Sequence, residues 1–277
     1  TSSTRGLNSG SSSRNSTPWC ASAISPGRTG RPPPISATSD AVWCGARSGR
    51  WVLPQPGALP SLGPAQVSWA DGRISAVQTL PSAPPGPRRL LLPALANAHD
   101  HARTFRSSTL GSTDLPLESW LPYLGIVPGA DPYLCAATSL ARSLRRGVTT
   151  LMVHYTRVQG GLPYIDEALA VARAARDLGL KIGFAVAMRD RQGLAYADDA
   201  TVLAALRPGI REPVARRLTA PAVPPADHLA RVHDLVAALQ SADGGSLAPH
   251  VTVQYGPNGV QWCTTALLQV VAQASAE

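Results

Sequence analysis

From Asp131 to the last residue the chain alternates between stretches of helical period and short β-branched runs, and this alternation restricts its fold more than any other feature. Leu134, Ala137, Thr138, Ala141, Leu144 and Arg145 recur at helical spacing, which predicts a helix over 131–146 that Gly147 stops. Val148 to Val153 then reads as a strand with His154 at its terminus. Ile165 to Leu178 reads as an Ala- and Leu-rich helix closed by Gly179, and Lys181 to Ala187 as a further strand. Helical spacing resumes over Asp227 to Leu239, and His250 to Tyr255 reads as another strand. Gly256-Pro257-Asn258-Gly259 turns the chain there, and Thr264 or Thr265 caps a helix that runs to Glu277. Strands separated by helices run parallel and are joined by right-handed crossovers, so the predicted class is α/β. Between Met188 and Pro225 the pattern breaks at Pro208, Pro213, Pro221, Pro224 and Pro225, which predicts a long irregular connection: a lid, a binding loop or a disordered stretch. His228 and His233, five apart, do not share a helix face and are read as surface residues.

One strand precedes this series. The segment Leu90-Leu91-Leu92-Pro93-Ala94-Leu95-Ala96-Asn97-Ala98-His99-Asp100-His101 begins as an apolar run and ends on two histidines. In an extended chain, positions two apart share a face, so His99 and His101 can converge on one ion while Asp100 turns away. Neutral imidazole suits zinc, iron and copper alike. Read without context, the pair is a weak signal, and the plain reading is two histidines at a strand end that lie on the surface or support a site without ligating. His154 can reach the same place from the end of its strand, or be a core histidine whose hydrogen bonds are satisfied.

The first ninety residues read differently. Residues 1 to about 40 are rich in Ser, Thr, Gly, Pro and Arg without sustained periodicity, so too little apolar surface is available to offset the entropy of ordering. They are expected to be disordered. Ala41-Val42-Trp43, Trp51-Val52-Leu53, Val67-Ser68-Trp69 and Ile74-Ser75-Ala76-Val77 read as short strands, and Asp71-Gly72 as the two-residue turn of a hairpin.

Composition narrows the partners. The chain of 277 residues is 44% hydrophobic, enough for a sizeable core, and its formal charge is +8. Arg5, Arg14, Arg28, Arg31, Arg47 and Arg50 face only Asp40 in the first fifty residues, so the remainder is only mildly basic. Aromatic residues do not interleave with these arginines as single-strand binding requires, and no nucleic-acid partner is expected. Cys20, Cys44, Cys135 and Cys263 lie far apart with no Cys-x-x-Cys, which fits a reducing cytoplasm. No run approaches the roughly 18 apolar residues of a membrane span, and the first residues lack a signal-type apolar core. Gly-x-Ser-x-Gly and Gly-x-Gly-x-x-Gly are both missing, and the single lysine, Lys181, is not in a phosphate loop, so nucleophile-elbow, hydride-transfer and nucleotide-hydrolysing readings have no support.

The segment ending in His99-Asp100-His101 resembles the first barrel strand of the amidohydrolase superfamily, whose usual form is Pro-Gly-Leu-Val-Asn-x-His-x-His. Gly147-Val148-Thr149-Thr150 is similar to that family's approach to the second strand. Tyr255-Gly256-Pro257-Asn258 through Cys263, with Leu267-Leu268, is similar to its fourth strand and following helix. The match is nearest to the aminohydrolase branch of cytosine deaminase-like and chlorohydrolase-like enzymes, and it runs from about Val67 to the last residue. Trp69-Ala70-Asp71-Gly72-Arg73-Ile74 also resembles the small β-domain that precedes the barrel, although Pro-rich sequence stands where relatives have a clear first strand.

The resemblance implies the amino-terminal half of a TIM-type (β/α)8 barrel behind a small, incomplete β-domain. The expected divisions are a tail at 1–40, the partial β-domain at 41–88, and strands one to four of the barrel at 89–277. It implies a divalent metal, zinc or iron, bound by His99 and His101, which would activate water against a carbon bearing a leaving amine. Leu117-Glu118-Ser119-Trp120-Leu121 is similar to a substrate loop in which Trp120 covers a ring; the alternative is Trp120 packed on a neighbouring helix. His154 and Asn258 are the other substrate-binding candidates, and many relatives carry histidine where Asn258 stands. A whole barrel needs roughly 250 residues. The family's remaining ligands and its proton-shuttling glutamate would fall beyond Glu277, so no catalytic residue is assigned and the chain is expected to be truncated. The implied activity is metal-dependent hydrolysis of a non-peptide carbon–nitrogen bond in a ring-bearing small molecule, in the cytoplasm, with a homo-oligomer left open. The alternative is a non-catalytic fragment or binding protein.

Overall fold

A computed structural model describes residues 45–104, 111, 116, 120, 129–159, 161–191, 198–218 and 222–276. The expected tail and the Ala41–Trp43 strand lie outside these residues, as does most of the 115–128 loop. The chain divides between Ala94 and Leu95 into two compact units.

The first unit is built of short strands. Strands β1 (Gly45–Gly49), β3 (Ala65–Ala70) and β4 (Arg73–Thr79) form an antiparallel sheet in the order β1-β3-β4. The β3–β4 hairpin turns at Asp71 and Gly72, whose φ angles of 51° and 71° are those the tight turn demands. Strand β2 (Trp51–Val52) pairs in parallel with β5 (Leu90–Leu91). Val52, Ala65, Val67 and Leu91 make a small core of their own. Leu90 and Leu91 therefore do not open the histidine strand, contrary to the sequence expectation. Pro93 follows closely, and its missing N–H cannot continue a ladder.

The second unit carries the parallel sheet. Strands β6 (Leu95–Asp100), β7 (Val148–Tyr155), β8 (Lys181–Met188) and β9 (Val251–Pro257) lie in the order β6-β7-β8-β9, every neighbouring pair parallel. Helix α1 (Pro132–Leu144) joins the first two strands and α2 (Tyr164–Asp177) the next two. Between β8 and β9 lie α3 (Asp199–Ala205), α4 (Pro208–Leu218) and α5 (Pro225–Ser241), and α6 (Thr265–Ala274) follows β9. All four carboxyl ends consequently fall along one edge of the sheet.

Local chemistry explains the helix boundaries. Asp131 caps α1 by accepting from the Leu134 N–H at 2.8 Å, and Gly147 takes φ 83° after its end. Thr264 caps α6, accepting from Leu267 N–H at 3.2 Å, while Asp190, just beyond β8, accepts from Thr264 N–H at 2.7 Å. The core takes alternate residues of the strands: Leu151, Val153 and Tyr155 from β7, and Ile182, Phe184, Val186 and Met188 from β8. They pack against Ala136, Leu140, Val171, Ala175, Leu235 and Leu267 of the helices. His154 and Met152 therefore point to the opposite face of the sheet.

Two expectations need correction here. The 188–225 stretch is not irregular throughout, because it contains α3 and α4. Pro208 sits in the first turn of α4, where no N–H is needed, and Pro213 removes one rung from an otherwise formed helix. His228 is not a surface residue: it is 2% exposed in the first turn of α5, with its Nε2 2.9 Å from the carbonyl oxygen of Arg189. His233 is exposed, as expected.

Candidate metal centre

Strand β6 pairs with β7 in a register that shifts between Leu95 and Ala96 and again between Asn97, opposite Leu151, and Asp100, opposite Val153. Such an irregularity re-aims side chains near a strand end. Two side chains fix it. Asn97 Oδ1 accepts from the His99 N–H at 3.2 Å, and Asp100 Oδ1 accepts from the Ala102 N–H at 2.7 Å. Each is an Asn or Asp bonding the backbone two residues on. Asp100 Oδ2 also accepts from Asn97 Nδ2 at 3.1 Å, which links the two turns. Ala102, wholly buried, is held at φ 51°, a conformation that an L-residue adopts only under such constraint.

The result is convergence of the two imidazoles. His99 Nε2 lies 3.2 Å from His101 Nε2, their rings nearly perpendicular at 85°. Two nitrogens each about 2.0–2.1 Å from a tetrahedral zinc stand about 3.3 Å apart, so the spacing fits a shared ion. His101 Nδ1 lies 2.7 Å from the His154 carbonyl oxygen. A carbonyl only accepts, so the proton is on Nδ1 and the Nε2 lone pair faces His99, the arrangement that orients a ligating histidine. Asp100 turns away from the pair, as the two-residue period predicts. Its work, and that of Asn97, was legible only as an Asn and an Asp beside the histidines.

The other candidates sit differently. His154 stacks on His99, ring centroids 4.4 Å apart at 26°, and its centroid is 6.3 Å from that of His101. Asn258 follows β9 at the same edge of the sheet, its N–H donating to Met188 O at 3.0 Å. Trp120 is half-buried with its N–H donating to Pro116 O at 2.9 Å, while Leu117, Glu118, Ser119 and Leu121 lie outside the described residues. Among the described residues, no group of three or more His, Cys, Asp or Glu side chains gathers to hold an ion. The pair thus supplies two donors.

No family model matches the sequence, and no curated relative does. Solved structures do match. Atrazine chlorohydrolase TrzN from Arthrobacter aurescens TC1, complexed with zinc, superimposes with a TM-score of 0.54 at 19% identity, covering 83% of this chain and 50% of that one. A triazine hydrolase variant gives 0.51 at 21% identity, covering 84% and 50%. An adenosine deaminase from Xanthomonas campestris with bound zinc gives 0.51 at 20%, covering 83% and 46%. The chain has the fold of these enzymes. It spans about half of their length, and the shared fold agrees with the resemblance carried by the His99-Asp100-His101 segment.

Burial acts on two of the site's histidines. Desolvation lowers the pKa of His101, opposed by its bond to the His154 carbonyl and reinforced by the Arg103 charge. It lowers His154 as well, with His99 adding to the effect. Both shifts favour the neutral imidazole that binds metals. His228 is lowered chiefly by desolvation, and its Nδ1 finds no hydrogen-bond partner among the described residues. A histidine whose folded pKa lies below its unfolded value binds fewer protons when folded. Its stabilisation is therefore complete above about pH 6.5 and is lost as the pH falls through that value. The urea midpoint is expected to drop between pH 7.5 and pH 5, and His228→Gln to flatten the drop. An equal slope in wild type and variant would show that His228 does not carry it.

One residue beyond His154, the side chain of Tyr155 crosses to the helix face. Its hydroxyl donates to Glu167 Oε2 at 2.6 Å, and the Gln159 N–H donates to the same oxygen at 2.6 Å. Glu167 is wholly buried. Arg103, two residues after His101, is held down to about 10 by burial and by neighbouring Arg157, with Glu167 and Tyr155 acting in the opposite sense. No sequence signal marks this cluster, because Glu167 sits in the first turn of α2, where an acidic residue is ordinary.

Proposed function

We propose that this chain is an amino-terminal portion of a metal-dependent hydrolase of the amidohydrolase superfamily, with β6 to β9 as the first four strands of a TIM-type barrel. The whole protein would hydrolyse a non-peptide carbon–nitrogen bond in a ring-bearing small molecule, as an aminohydrolase in the cytoplasm. The observation that carries the reading is the 3.2 Å approach of His99 Nε2 and His101 Nε2 at the carboxyl end of a parallel strand. It is supported by the fold shared with triazine-hydrolysing and adenosine-deaminating enzymes whose structures hold zinc.

His99 and His101 would hold a zinc or iron ion, whose chemistry there is to acidify water and polarise the bond to be cleaved. Asn97 and Asp100 fix the two imidazoles by clamping the backbone between them. The His154 carbonyl keeps the His101 proton on Nδ1. Trp120, His154 and Asn258 are proposed to face the substrate.

Residues 1–277 by themselves are expected not to turn over substrate. Open catalytic zinc sites use three protein ligands, against two here, and a missing general acid/base costs roughly 10²–10⁴-fold. This is tested by ammonia release from aminopyrimidines, aminotriazines and aminopurines with zinc or iron added. Release that disappears in a His99→Ala, His101→Ala double variant would show that these residues suffice. The aminohydrolase reading itself fails if a longer form containing this chain binds zinc through the pair yet hydrolyses nothing in that panel. The second reading, a non-catalytic binding protein, is favoured by the lack of a third ligating side chain among the described residues.

A further inference from the structure

We infer that His154 is a positioning residue for the histidine pair, its ring holding the plane of His99 while its backbone carbonyl fixes the proton of His101. The inference rests on reading His99 and His101 as metal ligands.

The two imidazoles are oriented by different means. His101 is held in the usual way, through a hydrogen bond from the nitrogen that faces away from the pair. For His99 the structure supplies a ring instead: the His154 imidazole lies nearly parallel to it, 26° between planes and 4.4 Å between centroids. Both functions come from one residue because β7 runs beside β6 in parallel, with Val153 opposite Asp100. His154 points to the face of the sheet away from the helix core, where small Ala185 stands beside it in register on β8.

The same geometry argues against His154 as a third donor. An imidazole lone pair lies in the plane of its ring, so the lone pairs of two stacked rings run side by side and do not meet at one point. The planes of His99 and His101 instead cross at 85°, with their Nε2 atoms 3.2 Å apart. What His154 contributes is order. A free His99 side chain would have to surrender its rotamer freedom on binding, and a ring already packed against it has surrendered it beforehand.

The test uses Co2+ as the probe on the full 277-residue chain, reading affinity by competition with a chelator and ligand number from the visible absorption band. His154→Ala is expected to weaken Co2+ binding about tenfold, as loss of an orienting group does. His154→Phe, which keeps a flat ring and has no nitrogen, is expected to restore most of the affinity, with the same band shape in all three proteins. If His154→Ala lowers the urea midpoint, His154→Gln replaces it as the ringless variant. Wild-type affinity in the ringless variant would overturn the inference. So would a Phe variant as weak as the Ala variant with an altered band, which would make His154 a donor. Failure of the underlying reading looks different: the His99→Ala, His101→Ala double variant would then bind Co2+ as well as wild type.

Discussion

His99→Ala and His101→Ala are each expected to weaken Zn2+ binding by about a hundredfold. Removing an orienting group outside the coordination shell already costs 10–100-fold, so removing one of only two donors should reach the upper end of that range. What remains after either substitution is a single imidazole, no better than an ordinary surface histidine. The affinity is also expected to fall in acid, because each imidazole must be deprotonated to bind. Zinc titration against a competing chelator at pH 7.5 and pH 5.5 measures both effects. Equal affinity in wild type and both single variants would mean that the 3.2 Å approach of the two nitrogens serves packing alone. Asp100→Ala should produce a smaller loss, since it frees the Ala102 backbone while leaving both imidazoles present.

Glu167→Ala is expected to destabilise the second unit by about 3–5 kcal/mol, the cost of breaking a buried charged network by removing one partner. The substitution strands the buried Tyr155 hydroxyl and the half-buried Gln159 N–H, and removes the Glu167 carboxyl that acts on Arg103. A domain's whole stability is about 5–15 kcal/mol, so the variant should be largely unfolded at modest urea concentration. Glu167→Gln keeps an acceptor oxygen and should lose visibly less. Urea unfolding followed by far-UV circular dichroism separates the two, and a loss below about 1 kcal/mol for Glu167→Ala would show that the network is not structural. Because Tyr155 follows His154 on the same strand, zinc affinity measured on whatever fraction stays folded should fall in parallel.

Much of the second unit was legible because its signals are local. The strands over 148–155 and 181–188 appear within two residues of their sequence boundaries, and the helices over 132–144 and 164–177 end before Gly147 and Gly179, both with positive φ. A helical period, a β-branched run and a glycine stop are each set by neighbouring residues, whatever the rest of the chain does. The 188–225 stretch misled for the converse reason. Five prolines spread over it suggest a loop, yet Pro208 and Pro225 stand in first turns, where proline is well placed.

The sequence by itself determined the parallel α/β class, the hairpin at Asp71-Gly72 and the identity of the two converging histidines, since period, turn chemistry and a spacing of two are written along the chain. Tertiary structure alone decided where the histidine strand begins, which helix face hides His228 and Glu167, and that His154 meets His99 across fifty-five positions. Those outcomes depend on strand register and on which side of a helix packs inward. Register places residues from distant segments side by side, and no local pattern around His154 or Glu167 records which partner it will bring.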